Sequence, residues 1–82
     1  MGKHEKVLQK ILAGTSDNNI RFSELVSLLL RLGFEEKVRG SHHIFSFTRT
    51  RSIINVQPSG DKAKGYQVKQ VREFILQNNI TL

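Results

Sequence analysis

The sequence predicts a small α+β domain in which helices cover one face of a three-stranded antiparallel sheet, in the order ααβββα. Apolar residues recur at helical spacing toward both ends of the chain, and they alternate with polar residues in its middle. The length of 82 residues allows one hydrophobic core and excludes two. We therefore expect residues 1–82 to form a single domain.

Two helices are predicted in the first part of the chain. An apolar stripe covers residues 3–13, and Gly14 is suited to end that helix in a left-handed conformation. Ser23, a preferred N-cap residue, is expected to cap the start of the second helix, and Gly33 is expected to end it. Its apolar stripe is wide, so we expect this helix to be mostly buried.

The apolar period changes to two after Gly33, which predicts three consecutive strands. Gly40 and Ser41 are expected to form the turn between the first two strands. Pro58 cannot donate a backbone hydrogen bond and should close the third strand. The strands are expected over residues 34–39, 42–48 and 52–57.

The last part of the chain is predicted to form a basic loop and a helix. The loop spans residues 59–65, and the helix spans about residues 66–78 with Val68, Val71 and Ile75 on its inward face. Because three antiparallel strands need a cover on one face, we expect the helices to supply it.

Alternation along the middle strand separates its two neighbouring histidines. His43, Phe45 and Phe47 share one face of the strand, and His42 lies on the other. Because two phenylalanines must reach the core of so small a domain, His42 should lie on the uncovered face, beside the glycine-serine turn. A side chain in that position can meet a large substrate.

Positive charge is concentrated in the second part of the chain. Residues 1–36 carry five basic and five acidic groups, whereas residues 37–82 carry eight basic and two acidic groups, so the whole net charge of +6 lies there. Segregated positive charge indicates a nucleic-acid-binding surface. We expect RNA contacts from Lys37, Arg39, Arg49, Arg51, Lys62, Lys64 and Lys69.

Several other kinds of site are disfavoured. The absence of cysteine excludes a disulfide, a thiolate zinc site and a cysteine nucleophile, and favours a reducing, cytoplasmic setting. We expect no metal or cofactor, because a metal needs three or four ligands and the adjacent histidines should point to opposite faces. The chain has no P-loop spacing and no apolar run long enough to span a membrane.

One reaction needs little from the protein, namely cleavage of RNA through its own 2′-hydroxyl. Because the substrate supplies the nucleophile, one histidine can move the proton while cations oppose the developing phosphate charge. His42 is our candidate for that histidine. Two alternatives stay open: a non-catalytic RNA-binding module, and an adaptor whose basic face docks an acidic protein.

Two motifs and the segment after them resemble the HicA toxin family. Residues 29–34 read LLRLGF and residues 39–45 read RGSHHIF, and a basic, glycine-containing loop and a closing helix follow. The resemblance covers about residues 20–80. Residues 3–13 would then be an additional N-terminal helix.

The resemblance implies a metal-independent ribonuclease, described as an mRNA interferase, with a double-stranded-RNA-binding-domain-like fold. It also implies that a HicB-type antitoxin neutralises the protein. The catalytic histidine of the family follows Gly-Ser, which corresponds to His42 in this sequence. Gly40 and Ser41 are then candidates for supporting and orienting that histidine.

Overall fold

The computed structural model describes residues 2–82, and that part of the chain forms three α-helices, a three-stranded sheet and a small hairpin. A 3-10 turn, Asp17–Asn19, follows the first helix. The order confirms the predicted α+β, double-stranded-RNA-binding-domain-like class. The elements are α1 (Lys3–Ala13), α2 (Phe22–Arg31), β1 (Glu35–Arg39), β2 (His42–Phe47), β3 (Ser52–Val56), β4 (Pro58–Ser59), β5 (Lys62–Ala63) and α3 (Gly65–Gln77).

The sheet is antiparallel throughout, with β2 between β1 and β3. Its inner face is buried against the helices, and its other face is left open. Phe45, in the central strand, is 0% exposed. The sheet residues of the core are Phe45, Phe47, Ile54 and Val56, and the helices add Val7, Ile11, Leu25, Leu28, Leu29, Val68, Val71 and Ile75.

Aromatic rings fill one end of this core. The ring centroids of Phe34 and Phe47 lie 4.8 Å apart, and those of Phe34 and Phe74 lie 5.5 Å apart. Edge-to-face and tilted contacts of this kind stabilise a core beyond the area that they bury. These phenylalanines therefore contribute to packing of the domain and do not form an exposed platform.

Helix α1 has the predicted bounds, Lys3–Ala13. Gly14 ends it with φ of +74°, and its backbone N–H donates to the carbonyl of Ile11. None of the helices described in residues 2–82 has the length and apolar run needed to cross a bilayer.

The prediction of Ser23 as the N-cap of α2 is wrong, because the helix begins at Phe22 and its N-cap is the extended Arg21. Tertiary pairing fixes that start: the backbone N–H of Phe22 donates to Asp61, and Arg21 forms an isolated bridge with Lys62. The expectation that α2 is mostly buried is also too broad, since Leu30 remains 47% exposed.

The segment predicted as a basic loop contains a short hairpin. Pro58 pairs with Ala63 and Ser59 pairs with Lys62, so Pro58 begins β4 directly after β3. The backbone N–H of Ala63 donates to the carbonyl of Ile20, and both side chains are buried. The hairpin thereby joins the start of α2 to the start of α3.

Arg72 of α3, one of the eight basic residues of the second part of the chain, is held by an ion pair. Its guanidinium donates to both carboxylate oxygens of Asp17, at 2.7 and 3.1 Å, and to the carbonyl of Ile11 at 3.2 Å. The hydrogen bond that the guanidinium donates to Asp17 raises the pKa of Arg72, so the guanidinium stays charged. This contact ties α3 to the end of α1 and to the 3-10 turn.

We expect Arg72→Ala to lower the free energy of unfolding by about 2 kcal/mol, because it leaves the Asp17 carboxylate without its charged partner. The side chains are only 16% and 24% exposed, so the pair is worth more than an ordinary surface salt bridge. Urea denaturation followed by circular dichroism measures the change. Lys69→Ala, on an exposed position of the same helix, is the control, and equal midpoints for the two variants would contradict the expectation.

Candidate active site

A two-residue turn positions the start of β2. Arg39 pairs with His42 across the turn, which leaves Gly40 and Ser41 between the two strands. Gly40 has φ of +61° and Ser41 does not have a positive φ, which is the glycine-first pattern of a tight hairpin turn. Any other residue at position 40 would strain the backbone by about 1 kcal/mol. This turn confirms the predicted connection and makes His42 the first residue of its strand.

The two neighbouring histidines lie on opposite faces of the sheet, as expected. The side chain of His42 is exposed on the open face. His43 is half-buried on the inner face, where its Nδ1 lies 2.6 Å from Oε2 of Glu36 and its ring packs edge-on against Phe22. His43 therefore contributes to packing between β1 and α2, whereas His42 is free to meet a ligand.

The exposed imidazole contacts a glutamine that directly follows the neighbouring strand β3. His43 pairs with Val56, so Gln57 continues the register opposite His42. Nε2 of Gln57 lies 3.2 Å from Nδ1 and 3.1 Å from Nε2 of His42. The ammonium of Lys64 donates to Oε1 of Gln57 at 3.2 Å. These three side chains form what we term the His42–Gln57–Lys64 chain.

A buried glutamine of α3 supports the His42–Gln57–Lys64 chain. Gln67 is only 4% exposed, and its Oε1 accepts the backbone N–H of Gln57 at 2.8 Å. Its Nε2 reaches the hydroxyl of Tyr66 at 3.5 Å. Because a buried amide without partners is costly, these contacts fix the backbone of Gln57 relative to the first turn of α3.

The open face around His42 is cationic at one end and apolar in its middle. Arg39 and Lys37 of β1 lie on the same face as His42, since they pair with His42 and Ile44 in the antiparallel register. Ile53 of β3 is 68% exposed on this face. A flat surface that carries an imidazole and two cations on neighbouring strands is suited to bind a phosphate-bearing polymer.

No group of three or more His, Cys, Asp or Glu residues in positions 2–82 is arranged to share a metal ion. The side-chain contact of His42 is an amide, and no carboxylate forms an ion pair with its ring within the described residues. The imidazole lies beside a neutral amide, and an unprotonated ring nitrogen of a histidine can accept a proton.

Comparison with known families identifies the group to which the chain belongs. The model of the family described as the HicA toxin of bacterial toxin–antitoxin matches residues 22–78. The chain belongs to the HicA toxin family. No curated protein and no solved structure gives a significant match. The matched residues of this HicA-family toxin include the whole sheet, His42 and α3, whereas α1 lies outside them.

The structure of this HicA-family toxin brings only some of the expected site residues together. Lys37 and Arg39 share the face of His42, and Lys64 reaches it through Gln57. Arg49 and Arg51 lie beyond the far end of β2, about 20 Å from His42 along the strand. Arg49 instead lies over the ring of Phe47, at 5.6 Å.

The remaining candidates lie on other elements. Lys62 belongs to β5 and lies 4.0 Å from Asp61, and Lys69 is exposed on α3. Among the side-chain hydrogen bonds of residues 2–82 none involves Ser41, and the contact to the His42 ring comes from Gln57.

Sequence reasoning missed both glutamines of the site. Gln67 precedes Val71 and Ile75 at intervals of four residues, so it continues their inward stripe, and this signal marks a buried polar position. Gln57 carries no comparable signal, because only the strand register places it opposite His42.

Proposed function

We propose that this HicA-family toxin is a metal-independent endoribonuclease that cleaves mRNA in the cytoplasm, with His42 as its proton-transfer group. The observation that carries the proposal is the position of the imidazole, exposed on an uncovered sheet face beside Arg39 and in contact with an amide donor. A group placed in this way can reach the ribose of an RNA strand that lies across the sheet.

The reaction begins when a ring nitrogen of His42 takes the proton of a 2′-hydroxyl. The 2′-oxygen then attacks the adjacent phosphorus, and the bond from phosphorus to the 5′-oxygen breaks. Water protonates the departing 5′-oxygen, and His42 returns its proton to solvent. The products are a 2′,3′-cyclic phosphate and a 5′-hydroxyl. Because the substrate supplies the nucleophile, no metal-bound water is needed.

The cations hold the RNA and oppose the charge that develops on the reacting phosphate. Arg39 pairs with His42 in the register, and Lys37 lies two residues before Arg39 on β1. Lys64 approaches His42 from the opposite side, through Gln57. We assign the reacting phosphate to Arg39 and Lys64, since charge complementarity matters most where charge develops. Contacts to more distant phosphates are assigned to Arg49, Arg51, Lys62 and Lys69, which would position the strand without reading its sequence.

A HicB-type antitoxin is the proposed protein partner, and we place it over the open face of the sheet. No helix covers that face in the described residues, and Ile53 offers it an exposed apolar contact. A partner with acidic groups would complement the net charge of +6. A gene for a HicB-type protein beside the gene for this chain would identify the partner.

The 2′-hydroxyl mechanism predicts that cleavage requires ribose at the scissile position and continues in EDTA. A short RNA should yield fragments that end in cyclic phosphate, whereas the same strand with a single 2′-deoxy nucleotide at the cut site should stay intact there. Gel electrophoresis with mass spectrometry of the ends measures both. Loss of cleavage in EDTA would contradict metal independence. Salt-sensitive RNA binding without cleavage would favour the RNA-binding module instead.

A further inference from the structure

The orientation of the Gln57 amide follows from the chemistry of its two neighbours. The Lys64 ammonium has three donors and no acceptor, so the oxygen of Gln57 must face it, as the 3.2 Å contact shows. The nitrogen of the same amide then faces His42. Its nearly equal distances to the two ring nitrogens place it over the ring, and its hydrogens carry partial positive charge.

Protonation of His42 disfavours this arrangement. The imidazolium has N–H groups on both ring nitrogens, and the Gln57 nitrogen lies 3.2 and 3.1 Å from the two of them. The positive charge of the ring would then meet the partial positive charge of the amide NH2 group. If the amide turns over to offer its oxygen to the ring, its NH2 group faces the Lys64 ammonium, which also only donates. One amide oxygen therefore serves either His42 or Lys64.

We propose that Gln57 is a positioning residue that couples the proton on His42 to the release of Lys64. The inference rests on the proposed function. While His42 is neutral, Gln57 holds the Lys64 ammonium. When His42 accepts the proton of the 2′-hydroxyl, Gln57 turns its oxygen to the ring and Lys64 is freed. Lys64 then pairs with the phosphate in the same step in which that phosphate gains negative charge.

The surroundings of Gln57 suit this exchange. Its backbone is fixed by the buried Gln67, so the side-chain amide can turn without moving the strand. The charged groups of β1 on the same face as His42 are Arg39 and Lys37, which offer no acceptor, and Glu35, which pairs with Ser46 four residues further along β2. Glu36, the nearest carboxylate in β1, lies on the inner face with His43. When the amide turns, its oxygen takes the place of the nitrogen that now lies 3.1–3.2 Å from the ring nitrogens.

The test is a pH titration of the free protein by NMR, with labels on the lysine ε-methylene and the histidine rings. We expect the Lys64 ε-methylene signal to change with the same midpoint as the His42 ring. His42→Ala should remove this change, and Gln57→Met should reduce its amplitude severalfold. Gln70→Met, an exposed glutamine of α3, is the matched control and should leave it intact. A Lys64 response that is missing in the wild type, or undiminished in Gln57→Met, would overturn the proposal.

A second measurement separates positioning from folding. Gln57→Met should lower kcat for RNA cleavage about tenfold with little change in KM, since it disturbs the moving group and not the bound strand. The carboxylate in Gln57→Glu offers one oxygen to His42 and the other to Lys64 at the same time. Lys64 should therefore stay bound when His42 is protonated, and its signal should no longer follow the His42 titration. Unchanged coupling in Gln57→Glu would overturn the proposal. The titration needs no RNA, so a failure of the ribonuclease proposal leaves its outcome readable.

Discussion

Replacing His42 with alanine should lower kcat for RNA cleavage by at least about a hundredfold, the smallest effect expected from the loss of a positioned proton-transfer group. The physical reason is that His42 has no substitute among the residues that it contacts. In the His42–Gln57–Lys64 chain, Gln57 is a neutral amide and Lys64 is a cation. Stability should hardly change, because the ring is exposed on the open face. Single-turnover cleavage of a labelled RNA in EDTA measures the loss.

The neighbouring histidine provides a matched control for this experiment. His43 shares the strand with His42 but lies on the inner face, where it contacts Glu36 and Phe22. His43→Gln should therefore cost about 1 kcal/mol of stability and leave kcat of the folded protein near the wild-type value. Equal activity of His42→Ala and wild type, or an equal loss in both variants, would remove His42 from the mechanism.

Replacing Phe45 with alanine should lower the free energy of unfolding by about 3–5 kcal/mol. Phe45 is 0% exposed in the central strand, and its ring lies between the sheet and the helices, where the fold has little freedom to close a cavity. A domain of this size has only about 5–15 kcal/mol of stability in total, so the variant should be close to unfolding. Urea and thermal denaturation measure the change.

The edge strand supplies the control for Phe45. Ile53 is also an apolar residue of the sheet, but it lies on the open face and is 68% exposed. Ile53→Ala should change stability by no more than about 0.5 kcal/mol. A loss below about 1 kcal/mol for Phe45→Ala, or equal losses for the two variants, would contradict the position of the core given by the strand alternation.

These two predictions concern residues of one strand that point in opposite directions. His42 and Phe45 are three residues apart in β2, so alternation places the first on the open face and the second in the core. Substitutions on the open face should therefore change activity with little loss of stability. Substitutions on the inner face should do the opposite, and this separation makes the site testable by mutation.

Local chemistry in the sequence was sufficient for the parts of the fold that depend on near neighbours. The bounds of α1 and the left-handed glycine after it follow from an apolar stripe and one residue without a Cβ. The turn at Gly40 follows from the same freedom, and the exposure of His42 follows from alternation around two phenylalanines. Each of these features involves residues within about one turn or one hairpin, so sequence spacing determines them.

Contacts between distant segments were decided only by the tertiary structure. Gln57 reaches His42 from 15 positions along the chain, and Arg72 reaches Asp17 from 55 positions away. The N-cap of α2 is Arg21 and not the predicted Ser23, because the residues around it pair with the β4–β5 hairpin. Periodicity shows which face of an element is apolar, but it does not show which polar side chains meet once the elements pack. The histidine of the candidate site was therefore predictable from the sequence, whereas its amide partner depended on strand register and on the position of α3.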